Sequence, residues 1–185
     1  MARTVHEPIE IPDRTWTVWA VAIGFFFALT RILALRQSTL ELLPDEAQYW
    51  SWSHHFAFGY FSKPPLVAWL IRATTALVGD AEWGVRLSAP LIHAATGIFI
   101  ALLGRDLFGA RTGFWSALTY ATLPGVTFSA LVISTDVPLL FCWALALLAL
   151  WKLLTRPDWR WALALGVGLG LGFLAKYAMG YFVLG

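Results

Sequence analysis

The chain has 185 residues, 59% of them apolar and only 13% charged, with a mean hydropathy of +0.68; a soluble domain carries about a quarter charged residues. A soluble single domain is excluded, and eleven tryptophans with five tyrosines suit the two boundaries of a membrane, where amphipathic rings collect. The formal charge of +2 without a basic cluster leaves no footprint for a nucleic-acid partner. Cys142 is the single cysteine and lies in an apolar run, so neither a disulfide nor a cysteine-based metal site can form.

Residues 1–15 mix acids with arginines, and the first apolar run closes without a small-x-small cleavage site, so the sequence predicts a cytoplasmic tail and an uncleaved helix. A first span covers residues 16–35, about the 20 residues needed to cross hydrocarbon, with Arg31 near its far end able to snorkel. Further spans are predicted at 85–103, 114–133, 138–154 and 161–182, joined by polar links at 104–113, 134–137 and 155–160. Residues 64–79 tempt a sixth crossing, but as a helix they reach only about 24 Å, and Arg72 stands in their middle. They are expected to lie flat on the interface.

The positive-inside rule supports five crossings. It puts Arg105, Arg111, Lys152, Arg156 and Arg160 on the cytoplasmic side and Glu41, Asp45, Glu46, Asp80, Glu82 and Asp136 on the other, with mainly Lys63 and Arg72 as cations there. The predicted class is all-α: a polytopic membrane helix bundle with an interfacial helical loop, residues 37–84, after the first span.

That topology gathers Asp45, Glu46, Lys63 and Asp136 on one face. Each also has a plainer role. Pro44-Asp45-Glu46 is how an ordinary helix begins, and Thr135 or Asp136 would cap the fourth span. Lys63 would anchor an interfacial segment to headgroups, and the aromatics from Tyr49 to Phe61 would form a belt. His54-His55 is a solvated pair rather than a metal site, since no third ligand pattern accompanies it. Gly166, Gly168, Gly170 and Gly172 lack nucleotide-fingerprint spacing and predict a helix-packing face, followed by Lys176 as a second cation or a snorkelling anchor.

Three segments then stand in order: Leu43-Pro44-Asp45-Glu46-Ala47-Gln48-Tyr49-Trp50, Phe58-Gly59-Tyr60-Phe61-Ser62-Lys63-Pro64-Pro65-Leu66 and Ser134-Thr135-Asp136-Val137-Pro138, with a Gly-rich span ending in Ala175-Lys176-Tyr177. This order resembles the polyprenol-phosphate-sugar-dependent glycosyltransferases of the GT-C fold, more narrowly the bacterial protein O-mannosyltransferase and lipid A aminoarabinose transferase group. The likeness runs from about residue 16 to 182 and makes 16–185 the N-terminal part of a GT-C-like domain; the chain stops with no polar tail and is expected to lack later spans.

The resemblance implies inverting transfer of a sugar from a polyprenyl-phosphate donor to a lipid, glycan or protein acceptor hydroxyl, outside a bacterial inner membrane on its periplasmic or extracellular face. Asp45 would be the catalytic base, Glu46 would share that role or orient the loop, and Asp136 would position acceptor or sugar. Lys63, helped by Tyr60, would hold the donor phosphate. Membrane lipids are the other partners, and no cofactor or metal is assigned. Ser62 stands where aminoarabinose transferases carry an acid, which argues against that sugar and against a metal held there. A transporter or flippase fragment is the main rival and predicts charges within the spans; a non-catalytic membrane subunit leaves the acid and lysine constellation without a purpose.

Overall fold

The computed structural model describes residues 12–184; the first eleven residues of the expected cytoplasmic tail, and Gly185, lie outside the described residues. α1 (Asp13–Gln37) is followed by three loop helices, α2 (Pro44–Ser53), α3 (Leu66–Val78) and α4 (Glu82–Arg86). Then come α5 (Ser88–Phe108), α6 (Ala110–Thr122), α7 (Pro124–Ser129), α8 (Asp136–Thr155), α9 (Trp159–Ala175) and α10 (Gly180–Leu184), with a 3-10 turn at Tyr177–Met179. The described chain is all helix and connection, as its composition predicts.

Three stretches are long and apolar enough to cross a membrane: Asp13–Gln37, Glu82–Phe108 and Asp136–Thr155. The protein is a membrane protein, and Phe25, Phe26 and Leu29 point outward from α1, 58–72% exposed, as lipid-facing residues must. The other two expected spans are interrupted. In the predicted span 114–133, α6 stops at Thr122 and α7 restarts at Pro124, because proline has no N–H to give the preceding turn. In the predicted span 161–182, α9 ends at Ala175 and Lys176 is extended, at φ −161 and ψ 136.

The break at Pro124 also explains a second departure. Arg31 does not snorkel; it is 7% exposed, and its guanidinium donates to Ala121 O at 2.6 Å and to Thr127 Oγ1 at 3.4 Å. A carbonyl beside a helix break needs a donor when no water reaches it. Nearby, His93 bridges the Tyr120 hydroxyl at 2.7 Å and the Ser129 hydroxyl at 3.1 Å, tying α5 to both halves of the broken helix.

α5 packs on α6 and α8 on α9, with α1 lying against α5 and α6. The link expected at 104–113 shrinks to Gly109, whose φ of +93 suits a residue without a side chain. Gly104 and Gly113 let the hairpin close: a Cβ on Gly104 would lie 3.0 Å from the Gly113 Cα. Of the four alternating glycines in α9 only two pack, Gly168 against Ala146 and Gly172 against Met179, while Gly166 and Gly170 face open space. A period of two cannot keep one face of a helix.

At one end of the bundle Lys152 meets Asp106 at 2.6 Å and Arg105 meets it at 3.5 Å, joining the ends of α5 and α8. The loop helices pack at the opposite ends of the same two helices. Their core is Tyr49, Val67, Ile71, Val85, Ala89, Ile133 and Val137, which brings α2, α3, α4, α5 and the start of α8 around one apolar centre. The segment expected to lie flat is the amphipathic α3, burying Val67, Ala68, Ile71 and Thr74 on a helical repeat. Its Arg72 turns outward and donates to Ser53 O at 3.0 Å and His54 O at 3.2 Å, satisfying carbonyls at the end of α2.

Candidate functional site

α2 begins at Pro44, as a proline followed by two acids predicts, and the next two residues then take opposite environments. Glu46 is 1% exposed. Its carboxylate accepts from Leu43 N at 2.9 Å, from Ile133 N at 2.9 Å, and from Arg86 Nε and Nη2 at 2.9 and 2.6 Å. Arg86 also donates to Leu40 O at 3.0 Å and Glu41 O at 2.9 Å. A buried ion pair holds when its remaining donors and acceptors are filled, and here they join the loop after α1, the start of α2, the end of α4 and the segment before α8. This geometry ties Glu46 to the loop, its two oxygens filled by four N–H donors.

Asp45, one residue earlier and about 100° around the helix, is exposed. Tyr49, one turn on, is 2% exposed, and its phenol is pushed above the ordinary tyrosine value by burial first and then by the charges of Asp45 and Asp136. Two acids 91 residues apart in sequence thus act on one ring. Asp136 opens α8, but neither it nor Thr135 makes the expected cap; the Ser134 hydroxyl accepts from Asp136 N at 3.3 Å. This leaves the Asp136 carboxylate to meet Lys176 Nζ at 2.7 Å, the two side chains 52% and 39% exposed.

Lys63 is half-buried and joins none of the four ion pairs found among the described residues. Its segment is shaped by Tyr60, whose N–H donates to Lys63 O at 3.2 Å, whose hydroxyl donates to His55 O at 2.7 Å, and whose ring stacks on Trp52 at 5.0 Å. Leu66 then packs against the cluster of Leu139, Ala146, Ala175 and Met179, bringing the Lys-Pro-Pro segment toward the end of the bundle that holds Asp136 and Lys176. Phe56 stacks on Trp69 at 5.3 Å, while Phe58 and Phe61 are 78% and 100% exposed, as an interfacial belt requires. His54 and His55 are exposed, and among the described residues no three His, Cys, Asp or Glu side chains gather at ligand spacing.

A largely apolar groove of about 330 Å³ opens between the end of α1, the loop after it and α7, lined by Leu35, Leu40, Leu43, Leu131 and Val132, with Arg86 in its wall. Sequence reasoning missed Arg86 as the partner of Glu46. The available signal was a charge at the membrane end of a span, where an unpaired cation is costly.

Residues 62–185 match the family described as dolichyl-phosphate-mannose-protein mannosyltransferase; the match begins beside Lys63 and includes Asp136 and Lys176, with Asp45, Glu46 and Tyr60 just before it. Among curated relatives, the lipid A galacturonosyltransferase RgtD of Rhizobium johnstonii is 44% identical over 160 residues, 86% of this chain and 34% of that protein. Undecaprenyl phosphate-alpha-4-amino-4-deoxy-L-arabinose arabinosyl transferases of Pseudomonas paraeruginosa and Pseudomonas fluorescens are 29% and 31% identical over 75% of this chain and 27% of their own lengths. The chain thus spans about a third or less of the length of these relatives. No solved structure gives a significant match. With two thirds of its length under that family's pattern, and a bundle of apolar helices carrying acids and lysines at one end, the chain belongs to the dolichyl-phosphate-mannose-protein mannosyltransferase family.

Proposed function

We propose that this chain carries the donor and base half of a membrane glycosyltransferase that moves a sugar from a polyprenyl-phosphate carrier to a hydroxyl of a lipid acceptor of the lipid A type. The observation that carries the reading is the division of labour in α2: Glu46 is fully engaged below, and Asp45 is open beside it. An acceptor oxygen must lose its proton as it bonds to the anomeric carbon, and an open carboxylate at the rim is a suitable base. As that bond forms, the bond from the anomeric carbon to the phosphate oxygen breaks on the opposite side. A single displacement of this kind inverts the configuration.

The departing polyprenyl phosphate gains charge at the membrane boundary, where Lys63 supplies a cation and Tyr60 fixes its segment. The largely apolar groove that reaches Arg86 suits a hydrocarbon chain of a lipid-linked substrate. Five crossings follow if α6 with α7, and α9 with its terminal turn, each pass the bilayer as broken helices. The helix ends that carry Arg105 and Lys152 then face the cytoplasm, and the acid and lysine corner faces the periplasm or exterior of a bacterial inner membrane.

The names of the relatives supply the substrate classes: lipid A and galacturonic acid from one, undecaprenyl phosphate and an aminoarabinose from the others. Ser62 in place of an acid, together with the higher identity to the galacturonosyltransferase, favours the uronic sugar. The test is transfer of labelled sugar from an undecaprenyl-phosphate donor to lipid A in membranes containing the full-length protein, with Lys63→Ala beside wild type. Wild-type transfer, and a donor KM raised about 10-fold or more in the variant, are expected. An absence of transfer, or an unchanged KM, overturns the reading.

A further inference from the structure

The corner holds a second cation whose placement is more elaborate than a surface ion pair needs. α9 ends at Ala175, and the N–H of Lys176 still donates to Gly172 O at 2.9 Å. Met179, fully buried, fills the space above Gly172, where any Cβ would meet its sulfur at 2.6 Å, and its own N–H closes back on Lys176 O at 3.0 Å. The turn is locked from both sides. It delivers the Lys176 ammonium to Asp136 Oδ1 at 2.7 Å.

Exposed ion pairs add little to stability, and α8 and α9 are already packed through Gly168 and Ala146. The pair is therefore poorly explained as a clamp. An ammonium has three donors; Asp136 takes one, and Lys176 stays 39% exposed. Leu66 packs against the cluster of Leu139, Ala146, Ala175 and Met179, and α3 touches α9, which brings the Lys63 segment toward this turn. The corner thus offers two lysines, one in no ion pair among the described residues and one held with donors to spare. A neutral hexosyl donor brings one anionic group, its phosphodiester. A uronosyl donor brings two, the phosphodiester and the sugar carboxylate.

We propose that Lys176, oriented by Asp136, receives the carboxylate of a uronosyl donor and sets a preference for an acidic over a neutral sugar. This rests on the glycosyltransferase reading above. The carboxylate is unchanged by the reaction: the bond from the anomeric carbon to the phosphate oxygen breaks, the bond to the acceptor oxygen forms, the acceptor proton passes to Asp45, and Lys176 only binds. Asp136 is a positioning residue in this arrangement.

The experiment compares wild type, Lys176→Met, Lys176→Arg and Asp45→Asn in membranes containing the full-length protein, with undecaprenyl-phosphate-linked galacturonic acid and galactose as donors and undecaprenyl phosphate as a sugar-free inhibitor. Lys176→Met is expected to lower kcat/KM for the uronosyl donor by about 10-fold to 100-fold, mostly through KM, as loss of a charge-assisted contact does. Inhibition by undecaprenyl phosphate and any galactosyl transfer should stay within about twofold, and Lys176→Arg should recover most of the uronosyl loss. Equal losses for both donors with weakened inhibition make Lys176 structural and overturn the proposal, as does an unaffected uronosyl KM. If Asp45→Asn abolishes transfer while Lys176→Met changes nothing, the specificity inference alone fails; if wild type moves neither sugar, the glycosyltransferase reading fails with it.

Discussion

Two carboxylate and cation pairs stand at the same end of the bundle at nearly the same distance, 2.6 Å for Glu46 with Arg86 and 2.7 Å for Asp136 with Lys176. The first is sealed, its side chains 1% and 5% exposed, and the second is open, at 52% and 39%. Distance alone therefore says little about what an ion pair does. In the sealed pair the charges also engage backbone groups of Leu40, Glu41, Leu43 and Ile133, so the pair holds the corner together. In the open pair spare donors and acceptors face outward, and water screens the attraction. The sealed pair builds the frame, and the open pair keeps its remaining donors and acceptors at the surface.

Removing one partner from each pair should separate them most widely. Arg86→Ala leaves the Glu46 carboxylate buried without its cation and should cost about 3–5 kcal/mol, read as a large drop in the thermal midpoint of the detergent-solubilised protein. Asp136→Asn should cost less than about 1 kcal/mol in the same measurement. Comparable losses would erase the distinction between frame and rim.

A smaller effect sharpens the comparison from the side of Tyr49, which lies between the frame and the two open acids. Its phenol is raised above the ordinary value of 10.0 by burial and then by Asp45 and Asp136. The folded state therefore holds the proton more tightly than the unfolded chain. Any stability from Tyr49 is fully present below about pH 10 and is lost as pH rises through the raised value. Ultraviolet titration of wild type beside Tyr49→Phe should assign a late-titrating phenol to Tyr49, and Asp136→Asn should bring that phenol partway back. A Tyr49 unaffected by Asp136→Asn would place the two acids in separate environments.

Much of this was legible in the sequence for a simple reason: long apolar runs have few ways to satisfy their backbone other than as helices. The loop at 37–84 stood out by its polarity, and Pro44-Asp45-Glu46 announced a helix start. What stayed hidden was pairing across distance. Nothing local links Glu46 to Arg86, 40 residues away, or assigns the neighbouring acids Asp45 and Glu46 to different environments; that follows from which way one helical turn faces the apolar centre around Tyr49 and Ile133. Pro124 lay in plain view inside an apolar run, but hydropathy is blind to a missing N–H. Arg31 was misjudged for the same reason, since the carbonyl it serves exists only because the helix breaks there.

The central claim is that Asp45 does the chemistry on a frame that Glu46 holds. Its most direct test is Asp45→Asn, nearly isosteric and without the base, measured in the full-length protein for sugar transfer, donor binding and thermal midpoint together. Turnover should fall by about 100-fold or more, with donor binding retained and the midpoint unchanged within about 1 kcal/mol of stability. A variant that keeps wild-type turnover would contradict the account and reduce Pro44-Asp45-Glu46 to the start of a helix.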